Sequence, residues 1–246
     1  MSKYISEYVA DFNDIIEECE NLVCITRDRQ LQQEAAAKLQ QLRMQITVLK
    51  QQIVKHGDED SANLLLGFEC VATCLHAEIS MWLLLKDEKP DEAWDWLVTA
   101  QANAVAAVRA HRGFAHLEKH SGRLATIEEV IFPPQVFMSA GLIVGHQECS
   151  ICGAKYGECD HLAGKPYMGQ FCSIVTKDLR ADHVAMVDEP ADKRCRIVRF
   201  SVFGGTRNRM TWKIEPSEVG NTEGEAGATD KPMSMTCEAI IAVAHR

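Results

Sequence analysis

The sequence predicts an α+β protein: an antiparallel helical bundle at the N-terminus, followed by a small β-rich domain. Two observations lead to this prediction. Apolar residues recur at helical spacing through the first half, and runs of branched and aromatic residues flank Gly204-Gly205 in the second half. The expected domains are a helical bundle at 1–125, a connector at 126–145, a cysteine-containing β domain at 146–215, and a flexible linker with a C-terminal segment at 216–246.

Composition limits the classes of function. The chain has 246 residues and a formal net charge of −9, which argues against general coating of nucleic acid but leaves room for a local basic patch. The N-terminus lacks the basic, then apolar pattern of an export signal. Several of the ten cysteines fall within helical patterns, which indicates free thiols in a reducing compartment. A cytoplasmic location is therefore expected.

Five helices are predicted in the first half, at 8–23, 27–55, 60–86, 90–113 and 114–121, the last ending at Gly122. The second has a narrow apolar seam with alternating steps of four and three, made of Ala35, Leu39, Leu42, Ile46, Leu49 and Ile53. This seam packs either inside the chain or against a second copy, so the helical half is the expected surface for a protein partner or for self-association.

The third helix is apolar enough to resemble a membrane span, but Glu69, His76 and Glu78 lie near its centre, where charge is costly in lipid. A buried helix of a soluble bundle is the better interpretation. One face carries a polar row at four-three-four spacing: Glu69, Thr73, His76 and Ser80. The row is either a polar pocket or a set of hydrogen bonds between helices, and the sequence leaves both open.

The segment CSICGAKYGECDH predicts a metal site. Its C-x2-C-x6-C-x-H spacing places Cys149, Cys152, Cys159 and His161 within thirteen residues, and thiolate with imidazole is the donor set that zinc prefers. The β domain is therefore expected to be zinc-stabilised. Cys172, Cys195 and His146 are nearby spare donors, and His146 is the favoured replacement if His161 does not bind.

The predicted Zn²⁺ is structural rather than catalytic. Catalytic zinc sites keep three protein ligands and an open position for water, whereas this segment offers four donors, three of them thiolates. The spacing also lacks the His-x-Glu element of zinc deaminases. We therefore predict no catalytic residue at this site.

The stretch from Cys149 to Cys195 resembles a zinc knuckle of uncharacterised bacterial and phage-associated proteins, including relatives of prohead maturation proteases. The matching positions are Cys149, Cys152, Gly153, Cys159, His161, Gly164, Tyr167, Gly169, Val187, Pro190 and Ala191. The resemblance covers about 50 residues. It implies a binding module and a phage–host context, without protease activity.

Residues 193–214 predict a β-hairpin with seven basic residues and no acidic one. Six of the basic residues form the predicted binding face: Arg194, Arg196, Arg199, Arg207, Arg209 and Lys213. Interleaved with Phe200 and Trp212, they suit nucleic acid or an acidic protein. The same pattern also fits a hairpin without a binding role, whose solvent-facing charges prevent its edge strands from pairing with another chain.

These features favour a non-catalytic zinc protein that interacts with partners through its helices and its basic hairpin. Two alternatives remain. Arg109 and His116 fit the loose Arg-x4-6-His spacing of HEPN ribonucleases, which are helical bundles and need no metal. The chain also fits an assembly subunit without affinity for nucleic acid.

Overall fold

The computed structural model describes residues 3–216 and 236–241 and confirms the α+β prediction. The helices come first in the chain. They are α1 (Lys3–Glu20), α2 (Arg29–Lys55), α3 (Glu59–Lys86), α4 (Pro90–Ala110), a short 3-10 helix (Arg112–Leu117) and α5 (Glu118–Ile131). Much of the predicted linker at 216–232 lies outside the described residues.

The apolar seam of α2 packs inside this chain. All six seam residues, from Ala35 to Ile53, are at most 8% exposed and belong to the main hydrophobic core. Asp58 begins α3 by accepting a hydrogen bond from the Ser61 N–H at 3.1 Å, and Gly57 ends the preceding turn with a φ of 74°. These signals explain why the predicted bounds of α2 and α3 agree with the structure to within a few residues.

The predicted end of the fifth helix at Gly122 is wrong. Glycine only weakens a helix interior, by about 1 kcal/mol relative to alanine, and does not stop a helix by itself. Leu124 is fully buried, and the Gln101 side chain donates a hydrogen bond to Glu128 at 2.7 Å. These contacts hold the last turns of α5 on the bundle as far as Ile131.

Helix α3 is the centre of the bundle. By length and composition it is the one described helix that could cross a membrane, but 72% of its most apolar window is buried inside the chain. Burial at this level is typical of a core helix of a soluble protein.

The polar row of α3 is satisfied largely by hydrogen bonds. Glu69 accepts a bond from the Thr47 hydroxyl of α2 at 2.7 Å and pairs with Lys50. The hydroxyls of Thr73 and Ser80 donate to carbonyls one turn earlier in α3 itself. The ring of His76 lies 5.4 Å from that of Trp96, and burial lowers the His76 pKa.

A fully buried carboxylate joins α3 to α5. Glu78 is 0% exposed, and Nη2 of Arg123 donates to its two oxygens at 2.7 and 2.8 Å. Nε2 of His120 lies 3.0 Å from the same carboxylate. A buried charge without a partner costs several kcal/mol, so this pair requires α5 to stay docked on α3.

The strands follow the helices. They are β1 (Phe137–Cys149), β2 (Pro166–Tyr167), β3 (Gln170–Phe171), β4 (Ile174–Val187), β5 (Ile197–Val202), β6 (Gly205–Asn208), β7 (Ile214–Glu215) and β8 (Cys237–Ala239). Strands β1 and β4 form a two-stranded ribbon, and β2 pairs with β3. A four-stranded antiparallel sheet has the order β7-β6-β5-β8. The predicted hairpin is confirmed, and Phe203-Gly204 forms its two-residue turn.

The chain forms two compact units. The first contains the helices and Ile143–Arg180, and the second contains Phe132–Leu142 with the described residues from Ala181 onward. The cysteine- and histidine-rich segment therefore belongs to the same unit as the helices. The predicted domain bounds, with a β domain at 146–215, stay a prediction.

Two glycines of the bundle provide a test of its packing. A Cβ on Gly67 would lie 2.0 Å from Cε2 of the buried Phe114, whereas a Cβ on Gly122 would meet nothing within 4 Å. We predict that Gly67→Ala lowers the free energy of unfolding by about 1–3 kcal/mol, because the ring has no room to move. Gly122→Ala is the matched control and should raise it by about 0.5–1 kcal/mol. Urea denaturation measures both, and equal effects would contradict this packing.

Candidate metal centre

The first two cysteines lie in a tight turn that is fixed by its own backbone. The Cys149 N–H donates to the Ala154 carbonyl at 2.8 Å, and the Gly153 N–H donates to the Cys149 carbonyl at 2.9 Å. Gly153 has a φ of 73°, which favours glycine at this position. The turn directs the Ile151 N–H at the Cys149 sulfur, 3.4 Å away. Such a donor stabilises a thiolate.

Two tyrosines hold the chain directly after His161. The hydroxyl of Tyr167 accepts a hydrogen bond from the Leu162 N–H at 3.0 Å, and that of Tyr156 accepts one from the Ala163 N–H at 3.1 Å. The His161 and Tyr167 rings meet edge to face at 4.8 Å. No spacing in the sequence predicts these roles for the tyrosines, although Tyr167 stands in the resemblance motif.

The four predicted ligands converge. One donor atom each from Cys149, Cys152, Cys159 and His161 lies within 4.8 Å of all the others. Among the described residues, this is the one group of three or more such side chains that could hold a metal ion. Nδ1 of His161 is buried without a hydrogen-bond partner, and a metal ion would satisfy it. The donor set therefore fits a metal ion.

The electrostatics of the cluster favour a bound cation. Burial acts to raise the pKa of Cys149, but N–H groups of Cys152 and Ile151 outweigh it and lower the pKa to about 6. At Cys159 the backbone N–H of His161 acts to lower the pKa, yet burial and the neighbouring thiols Cys152 and Cys149 raise it. Neighbouring thiolates repel one another, and a divalent ion between them would remove that repulsion.

The spare donors differ in their positions. Nε2 of His146, the favoured replacement, lies 3.2 Å from Glu148 and is not part of the cluster. The sulfur of Cys172 lies 3.7 Å from that of Cys149. Cys195 is buried in the second unit. The structure thus favours Cys172, not His146, as the extra donor.

The segment 149–172, which we call the knuckle, docks on the helices. The Gly169 N–H donates to Oδ1 of Asn63 at 2.9 Å, and the Met168 N–H donates to the Glu59 carboxylate at 3.4 Å. Phe171 packs against the hydrophobic core of the bundle. Gly169 has a φ of 76°, and a Cβ there would lie 3.2 Å from the Ala62 carbonyl oxygen. The close approach therefore favours glycine.

The basic segment is partly neutralised by its own neighbours. Arg199 pairs with Glu215 at 3.1 Å and with Glu238 at 3.3 Å, and Arg194 pairs with Asp192 at 2.9 Å. Arg196 is only 1% exposed. These three residues contribute little to an exposed basic face.

Of the other three predicted binding residues, Arg207 and Arg209 are half-buried, each with a buried Nε, and Lys213 is exposed. Arg207 lies 5.8 Å from the centre of the Trp212 ring, a cation–π arrangement. Nη2 of Arg209 donates to the Pro134 carbonyl at 2.9 Å. Lys213 is exposed beside Trp212. Whether these residues bind a partner stays a prediction.

The two residues of the ribonuclease alternative are both exposed. Arg109 lies in the last turn of α4, and His116 lies in the 3-10 helix that follows. Helix α4 ends at Ala110, three residues before its predicted end at 113, and a 3-10 helix takes over at Arg112. Cleavage of RNA by this pair stays a prediction.

Comparison with known proteins identifies no family for this chain. The chain matches no model of a known protein family, and no curated protein or solved structure shows significant similarity to it. The resemblance to phage-associated knuckles therefore rests on the motif positions alone. The fold and the site together define the class: an α+β protein with a cysteine–histidine cluster that could hold a metal ion.

The contact between Asn63 and Gly169 is testable. We predict that Asn63→Ala lowers the free energy of unfolding by about 1 kcal/mol, because the Gly169 N–H loses its acceptor. Asn103→Ala is the control, since that side chain bonds only one turn back along its own helix, to Thr99. Chemical denaturation compares the two variants. The docking contact is contradicted if Asn63→Ala costs no more than Asn103→Ala.

Proposed function

We propose that the protein binds one zinc ion through Cys149, Cys152, Cys159 and His161, and that the ion is structural. The observation that carries the proposal is the convergence of these four donor atoms within 4.8 Å. Three sulfurs and one imidazole nitrogen are soft to borderline donors, which select zinc over magnesium or calcium. All ten cysteines are free thiols, which supports a reducing, cytoplasmic setting.

The non-catalytic assignment follows from the number of donors. Four protein ligands fill a tetrahedral zinc, so no position is left for a substrate or an activated water. A bound ion supplies a crosslink between the end of β1 and the turn at 159–161. The chain's own contacts continue from there, because Gly169 and Phe171 dock the knuckle on the helices. The proposed result is a rigid knuckle surface on the bundle.

We predict one zinc per chain in protein purified without chelator, measured by elemental analysis. Cys152→Ser should lose most of this zinc, because an alcohol is a poor ligand, and its thermal stability should fall. Cys24→Ser is the matched control: Cys24 is also exposed, but it lies outside the cluster and should leave zinc content unchanged. Protein free of zinc, or equal zinc in the two variants, would overturn the proposal.

We propose an interaction surface made of Arg207, Trp212 and Lys213, and we propose single-stranded nucleic acid as its partner. Trp212 is 53% exposed and has a φ of 57°. This left-handed backbone conformation is costly for a bulky residue, and such strain is concentrated at functional sites. An exposed indole flanked by two cations suits base stacking with phosphate contact. The carboxylates of Glu215 and Glu238 beside Arg199 make that part of the basic segment less suitable for binding phosphate.

We predict that Arg207→Glu with Lys213→Glu weakens binding of a short fluorescent oligothymidylate at least about tenfold at low salt, because two phosphate contacts are lost. Lys55→Glu with Lys119→Glu, at two exposed lysines on α2 and α5, makes the same change in net charge and is the control. Fluorescence anisotropy measures both. Equal affinity of the double variant and wild type would refute the surface, and binding of polyglutamate in place of the oligonucleotide would identify an acidic protein partner instead.

A further inference from the structure

A fourth sulfur, that of Cys172, lies beside the three sulfurs and one imidazole of the candidate metal cluster. The sulfurs of Cys149 and Cys172 are 3.7 Å apart, and the two residues are only 1% and 2% exposed. A disulfide would need about 2.05 Å. Two thiolates on one tetrahedral zinc, each about 2.3 Å from the ion, lie about 3.8 Å apart. The observed separation therefore matches two ligands of a common ion.

The backbone sets this separation. The Cys172 carbonyl accepts a hydrogen bond from the Gly164 N–H at 2.8 Å. The residue after Cys172 is bonded to the residue after Cys149: the Ser150 N–H donates to the Ser173 carbonyl at 3.0 Å, and the Ser173 N–H donates to Oγ of Ser150 at 2.8 Å. These hydrogen bonds fix the two stretches of backbone that carry the sulfurs.

We propose that Cys172 is a fifth metal-binding residue. In a second set of four thiolates, the Cys172 sulfur, which contacts that of Cys149, would move into the position that His161 holds in the first set beside Cys149, Cys152 and Cys159. This inference rests on the proposed metal-binding function. Since a tetrahedral ion has four places, one of the two alternative ligands is bound at a time.

The two donor sets differ in softness. A set of four thiolates is softer than three thiolates with an imidazole, so Cd²⁺ draws Cys172 into the first coordination sphere more strongly than Zn²⁺ does. His161 keeps its place in the first set because its Nδ1 is buried without another partner. The site therefore retains an ion when either alternative ligand is lost.

The test is a cobalt titration of the full chain in four forms: wild type, His161→Ala, Cys172→Ser and the double variant. Each single variant is expected to bind one tetrahedral Co²⁺ within about tenfold of the wild-type affinity, as for the loss of a supporting residue. The double variant, left with three donors, should bind at least about 100-fold more weakly than either single variant.

The absorption spectrum identifies the ligands independently of affinity. Charge transfer from thiolate to cobalt increases with the number of bound sulfurs. It should be about one third stronger in His161→Ala, with four thiolates, than in Cys172→Ser, with three. Far-UV circular dichroism checks that all four forms keep their helices. Cys24→Ser is the control for removal of a thiol outside the site.

Each contrary outcome is decisive. Loss of cobalt binding in His161→Ala alone means that Cys172 is not a donor and overturns the inference. Loss of binding in Cys172→Ser alone means that Cys172 is obligatory, which overturns the exchange with His161. A double variant that binds as well as either single variant overturns it too. Absence of binding in wild type would instead refute the proposed metal-binding function itself, which makes the two failures distinguishable.

Discussion

The convergence of Cys149, Cys152, Cys159 and His161 on one point is the constraint on which the knuckle depends. Of its apolar side chains only Cys149 and Cys172 are buried, and its strands β2 and β3 are two residues each. Short chain segments without a core need a crosslink or a metal to hold one conformation. Turn geometry and two tyrosine hydroxyls bring the donors together into a cluster that could hold a metal ion.

The knuckle is attached to the bundle as well as to its own ligands. Gly169 contacts Asn63, and Phe171 joins the core that α2 and α3 share. The knuckle is therefore held at 169–171 by the helices as well as at its own donor cluster. This arrangement gives the helical half a role in shaping the site, although no ligand comes from it.

The local features could be predicted from the sequence, and the long-range ones could not. The seam from Ala35 to Ile53 and the four candidate metal ligands depend on spacing along one segment. The structure buries the seam inside the chain and brings the four donor atoms together. The contact of Gly169 with Asn63 joins residues 106 positions apart, and no periodicity encodes it. The charge balance of the basic segment could not be predicted from local spacing either, because the pairing of Arg199 with Glu238 depends on a strand that follows much later in the chain. Gly122 was misinterpreted because buried Leu124 outweighs a weak helix former.

Hydrogen–deuterium exchange with and without zinc tests the central claim most directly. If the ion organises the knuckle, the amides of Gly153, Gly169 and Cys172 exchange slowly in the zinc-loaded protein. In the stripped protein they exchange fast, while the amides of α3 stay protected. Equal protection of the knuckle in the two forms would contradict the account, because the segment would then hold its structure without the ion.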